Sequence, residues 1–109
     1  MGSMNTTDVK QTIAISSTDT LQKYVGTTAT DIGVAKIKAI QAQSSAANGS
    51  VKIYDATDAA TASKLVFEAK WGIEADENFT FYLPTNGIRC KTAMHAVLSN
   101  CDFLVVTFD

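Results

Sequence analysis

The sequence predicts an all-β fold: an antiparallel two-sheet sandwich, jelly-roll-like, with about eight strands. Three observations carry this. Apolar and polar residues alternate with period two, as in Leu65, Phe67, Ala69 and Trp71 against Val66, Glu68 and Lys70, and in Phe79, Phe81 and Leu83 against Thr80 and Tyr82. Such runs are half-buried strands, because successive side chains point to opposite faces of a sheet. The runs are short, recur about every eight to twelve residues, and are punctuated by Gly and Asn, as a sandwich requires. No segment sustains a helical period.

The elements follow in order. Met1, Gly2 and Ser3 precede a second methionine, Met4, and read as a cloning remnant. Residues 4–33 form N-terminal strands and a Thr/Ser-rich loop joined to the sandwich core of residues 34–109, in a single domain of ordinary size. Gln11 to Ser16 is a strand, Ser17 to Thr20 a turn, Leu21 to Val25 a second strand and Thr27 to Asp31 a loop. Ala35, Ile37 and Ala39 alternate with Lys36 and Lys38 until Ile40 breaks the register, which predicts either a bulge or a strand covered on both faces. The Asn48-Gly49 turn then makes Ser50 to Asp55 its hairpin partner. Asp55 to Ser63 is a loop, with room for one helical turn at Ala59 to Ala62. The Leu65 to Trp71 strand leads through an acidic connection, Gly72 to Asn78, into the Phe79 to Leu83 strand, which Pro84 and the Asn86-Gly87 turn end. Ile88 to Lys91, Met94 to Leu98 and Phe103 to Phe108 complete the set, with Ser99 to Asp102 as the last tight connection.

Composition excludes several function classes. Hydrophobic residues make up 46% of the 109 and charged ones 18%, which is too apolar for disorder. The net charge of −2 and singly scattered lysines give no electrostatic footprint for nucleic acid. No apolar run approaches the roughly 20 residues that span a bilayer, and the N-terminus lacks a signal-peptide core, so synthesis in a cytosol is expected. Cys90 and Cys101 are expected to be free thiols, with a disulfide as the alternative if their strands are neighbours. The triplets at Asn5, Asn48 and Asn78 match a glycosylation acceptor only by chance without secretion.

The search for chemistry returns little. His95, the only histidine, lies on the strand face shared with Val97 and opposite Ala96, and has no second His or Cys-x-x-Cys to complete a metal site. Asp55 and Asp58, with Asp76 and Glu77, offer oxygen ligands but match no calcium loop. Glu74, Asp76 and Glu77 lie in a polar connection, where a general acid would not be desolvated. The glycines are isolated and build turns, with no phosphate-binding pattern. No catalytic residue, metal or cofactor is therefore expected. Trp71, Tyr54 and Tyr82 would form an aromatic platform for a sugar or peptide if they shared an exposed face; packing in the core or against another subunit is the alternative.

A resemblance begins at Ala35. The order Ala35-Lys36-Ile37-Lys38-Ala39-Ile40, Gly49-Ser50-Val51-Lys52-Ile53-Tyr54-Asp55, Lys64-Leu65-Val66-Phe67, Phe81-Tyr82-Leu83-Pro84, Asn86-Gly87-Ile88-Arg89 and Ala96-Val97-Leu98-Ser99-Asn100 resembles small β-sandwich proteins encoded by marine tailed phages, including cyanophages. The likeness rests on turn and core positions in the part of the chain after residue 34. The Asp55 to Ser63 loop departs from it, being Ala-rich where glycines are common in the group. The resemblance implies a non-catalytic virion component, such as a head decoration, knob or fibre-associated protein, made in the host cytoplasm and contacting capsid or tail proteins. It also implies a homo-oligomer, a trimer by analogy with other phage β-proteins. Because Phe103, Leu104, Val105 and Val106 form a strand apolar on both faces, the expected interface residues are Ile40, Tyr54, Trp71, Tyr82, Leu104 and Phe108, each with the core as alternative. A phage-encoded carbohydrate- or host-protein-binding module is the competing class.

Overall fold

The structure is a computed structural model that describes residues 10–72, 77–83 and 86–109. The expected cloning remnant at residues 1–3, the Asn5 triplet, Glu74, Asp76 and Pro84 lie outside the described residues. The described chain is nearly all strand, in eleven strands against the eight expected: β1 (Lys10–Gln11), β2 (Asp19–Thr20), β3 (Gln22–Val25), β4 (Thr28–Asp31), β5 (Ala35–Ser44), β6 (Ser50–Tyr54), β7 (Leu65–Lys70), β8 (Asn78–Tyr82), β9 (Ile88–Cys90), β10 (His95–Ser99) and β11 (Cys101–Phe108). One 3-10 turn, Ala62–Lys64, sits before β7, just beyond the expected helical turn.

Two antiparallel sheets form the sandwich. The first has the order β1-β11-β5-β8, with β9 also on β5; the second has the order β2-β10-β6-β7. This alternation between sheets is the double Greek-key order of a jelly roll. The strands beyond those read from the sequence are β2 and β4, while β3 and β9 fall within the runs expected at Leu21 to Val25 and Ile88 to Lys91. β8 pairs with Ala39–Gln43 and β9 with Ala35–Ile37, so they are two pieces of one edge along the same side of β5. β4 forms a hairpin with β3, inserted between β2 and β5. The hairpin corrects the expected loop at Thr27 to Asp31, and the short β2 falls where a turn was expected. In β4 every residue is exposed, so no apolar alternation marks it.

The Ile40 irregularity is a bulge. The β5-β11 register passes from Ala39↔Thr107 to Ile37↔Phe108, leaving Lys38 as the extra residue, and so both Ile37 and Ile40 reach the core despite their odd spacing. The interruption beside it depends on Gly87, whose φ is +67° and whose backbone lies so close to the Ile37 carbonyl that any Cβ would overlap it.

The expected pairing of β5 with β6 does not form. β6 pairs with β10 and β7 in the second sheet. The segment through Asn48, at φ 58°, carries the chain from one sheet to the other. The last connection does the same, with Asn100 at φ 50° passing the chain from β10 to β11.

Between the sheets, Ile37, Ile40 and Ala42 of β5 and Leu104, Val106 and Phe108 of β11 meet Val51 and Ile53 of β6 and Ala96 of β10. Leu21, Ile32 and Met94 belong to the same cluster. Each large aliphatic side chain here contributes about 1.5–3 kcal/mol through removal from water. Along the β7-β8 side the core is completed by aromatics: Trp71 stacks on Phe79 at 5.1 Å, and Phe67 meets Phe81 edge-on at 5.7 Å. The Trp71 indole N–H donates to the Ala46 carbonyl at 3.1 Å, and its ring lies directly against Gly49, where a side chain would displace it.

Candidate interaction surfaces

The two outer faces differ in chemistry. On the second sheet, Lys52, Glu68 and Lys70 form a charged strip, with Lys–carboxylate distances of 3.9 and 3.7 Å. On the first sheet, β8, β5 and β11 present three cross-strand rows: Asn78, Gln43 and Phe103; Thr80, Gln41 and Val105; Tyr82, Ala39 and Thr107. None of these nine side chains is charged. Tyr82 is 82% exposed and Phe103 37%. Charge returns at the bulge with Lys38 and continues beyond it at the Lys36↔Arg89 pair.

The expected interface residues separate on this framework. Ile40, Leu104 and Phe108 take the core alternative. Tyr54 is buried but outside the core cluster, in the row of His95 and Leu65. Trp71 is half-buried in the aromatic cluster. Tyr82 alone is on an open surface, on the outer side of its sheet as its alternation with Phe81 predicts. Tyr54, Trp71 and Tyr82 therefore do not form a shared platform.

An open cleft of about 580 Å³ lies between residues 10–14 and β3, lined among others by Lys10, Thr12, Lys23, Tyr24 and Val25. Tyr24 and Val25 at the hairpin tip are 65% and 58% exposed, a second apolar feature that the sequence reading missed. The signal available was Val25-Gly26 between two short polar runs, a hairpin pattern without apolar alternation.

The polar candidates hold the fold together. The Asp55 carboxylate accepts N–H bonds from Lys91 at 2.9 Å and Thr92 at 2.7 Å, with Ala93 at 3.4 Å. Partial burial pushes its pKa up, but these N–H groups and the charge of Lys64 outweigh that, so the carboxyl titrates below its usual 3.8. Asp55 thereby ties the end of β6 to the segment that crosses from β9 to β10. Asp58 accepts the Ala60 N–H at 3.0 Å. No group of three or more His, Cys, Asp or Glu able to hold a metal occurs among the described residues.

His95 Nδ1 lies 2.9 Å from the Thr20 hydroxyl, which is itself 3.1 Å from the Thr57 carbonyl. Thr20 thereby links His95 on β10 to the loop carrying Thr57, with the direction of the His95–Thr20 bond set by the histidine tautomer. Cys90 pairs with Ala35 and Cys101 with Ser44, at opposite ends of β5. At about 3.3 Å per residue those ends are roughly 30 Å apart, far beyond disulfide reach. Burial, with a smaller push from Asp55, raises the Cys90 thiol to about 11.

Comparison of the chain with protein-family models, curated proteins and solved structures finds no match.

Proposed function

We propose that the chain is a small structural protein of a tailed-phage particle, a jelly roll that decorates or completes the head or tail by self-association and performs no catalysis. The observation that carries this reading is the uncharged outer face of the first sheet, which runs without a break to the β8 edge in a chain whose other sheet is charged. Uncharged faces with exposed aromatics are where protein surfaces meet. Jelly rolls recur in viral capsid and lectin domains, which is support by fold analogy. The lineage comes from the motif resemblance after Ala35.

The test is absolute counting by mass spectrometry of the polypeptide in gradient-banded particles of the source phage. Dozens of copies or more per particle support the reading. Expression in infected cells with absence from particles overturns it. A second reading, a phage-encoded module that binds a carbohydrate or host protein, is favoured by one feature, the cleft beside the exposed Tyr24 and Val25.

A further inference from the structure

We infer that β8 is a homotypic docking edge, on which a second copy of this chain adds its own β8 antiparallel about Thr80, joining two first sheets into one. The inference deepens the self-association proposed above and rests on it. It starts from which way the main chain points. The Ser44 N–H donates to the Glu77 carbonyl at 2.9 Å, and the Leu83 N–H to the Lys38 carbonyl at 3.0 Å. Antiparallel ladders alternate, so Phe79 and Phe81 also turn their amides toward β5. Asn78, Thr80 and Tyr82 turn theirs away from it, off the edge of the sheet, where no strand follows among the described residues. All three side chains are exposed.

Unpaired edges template further strands, and proteins ordinarily guard them with charge, proline or brevity. Other edges of the two main sheets are guarded in those ways: β2 has two residues, β9 has three and carries Arg89, and β7 carries Glu68 and Lys70. The five residues of β8, Asn-Phe-Thr-Phe-Tyr, have no charge and no proline. Their order is also self-complementary. Folded about Thr80, Thr80 meets Thr80, Phe79 meets Phe81, and Asn78 meets Tyr82, with aromatic facing aromatic on the inner side and polar facing polar on the outer. Because Asn78, Thr80 and Tyr82 all point outward, the Thr80 pair and both Asn78-Tyr82 pairs are hydrogen-bonded pairs in this register. Every free amide of the edge then finds a partner. The two-fold symmetry follows from this matching and gives a dimer where phage analogy suggests a trimer. Five residues per copy is a small contact, so the dimer belongs at the weak end of stable interfaces and forms at high protein concentration.

The test is sedimentation equilibrium of the full chain at about 100 μM, with Thr80→Lys, Thr80→Val and Gln41→Lys beside the wild type, each shown folded by circular dichroism. Thr80 and Gln41 are both exposed on the same outer face, but only Thr80 is on the edge. The expected result is a wild type near twice 11.6 kDa. Thr80→Lys, which sets two like charges opposite each other, weakens it at least about tenfold, while Thr80→Val and Gln41→Lys stay within about threefold. Equal loss in Thr80→Lys and Gln41→Lys would assign the contact to the sheet face and overturn the edge pairing. An oligomer indifferent to Thr80→Lys would overturn it too, leaving self-association standing. A monomeric wild type at that concentration would overturn both.

Discussion

Replacing Asp55 by alanine removes the carboxylate that three successive N–H groups share, and the loss can be sized from the geometry. The Lys91 and Thr92 bonds, at 2.9 and 2.7 Å, are charge-assisted and contribute about 1.5–3 kcal/mol each where water is excluded. Both residues are exposed, so water re-solvates their amides in the variant and the two bonds together are discounted to about 2 kcal/mol. The contact at Ala93 is long at 3.4 Å and adds little. For a domain of this size that loss lowers Tm by about 10 °C. The pH dependence has a fixed sign. The folded-state pKa is depressed below 3.8, so the stabilisation is fully present above the unfolded-state value and is lost as pH falls through the folded one. Urea unfolding followed by the fluorescence of Trp71, the single tryptophan, measures it. The gap between wild type and Asp55→Asn should be constant from pH 7 to about 5 and shrink below about pH 4. A gap under about 0.5 kcal/mol for Asp55→Ala at pH 7, or one that widens in acid, would refute the argument.

Other outcomes follow from the packing. Gly87→Ala should destabilise by at least about 2 kcal/mol in the same urea assay, since it adds a Cβ at positive φ against the Ile37 carbonyl. Leu104→Ala should cost about 2–5 kcal/mol and Tyr82→Ala less than about 1, because the first side chain is fully buried and the second 82% exposed. A rise of the Cys90 pKa from 9.0 to about 11 lowers its thiolate fraction about a hundredfold. Thiol titration of the native protein at pH 8 should therefore show correspondingly slow reaction at Cys90, becoming fast in urea, and no intramolecular disulfide should form on oxidation.

The sequence discloses those parts of the fold where one face is dry and the other wet. β8 and β10 follow their alternation, and β7 follows it from Phe67 onward, but a register shift at Val66 leaves the expected inward Leu65 exposed and packs Val66 against the core. The broken register at Ile40 marks a real bulge because two isoleucines spaced by three both needed the core. The β3-β4 hairpin leaves no such trace, since its Thr-Ala-Thr-Asp strand is exposed throughout. The Asn48-Gly49 pair misled in a different way. It signals a chain reversal, but a reversal ends in the same sheet or the facing one according to where the next apolar face fits, and that is a long-range matter. The interface residues were ambiguous for the same reason. Leu104 and Phe108 were candidates because β11 is apolar on both sides, yet they fall on the inner side, and even outward-facing Val105 is buried to 7% exposure. Tyr82 was legible because it alternates with Phe81, and the openness of its strand edge was not, since edge position is a property of sheet order alone.

The proposed function makes this jelly roll a repeated structural part of a phage particle. Cryo-electron microscopy of intact source-phage particles tests it most directly. Two-sheet density is expected at symmetry-related positions on the head or tail, with β5 and β11 fitting at the centre of one sheet. A reconstruction in which every density is accounted for by other chains would contradict it.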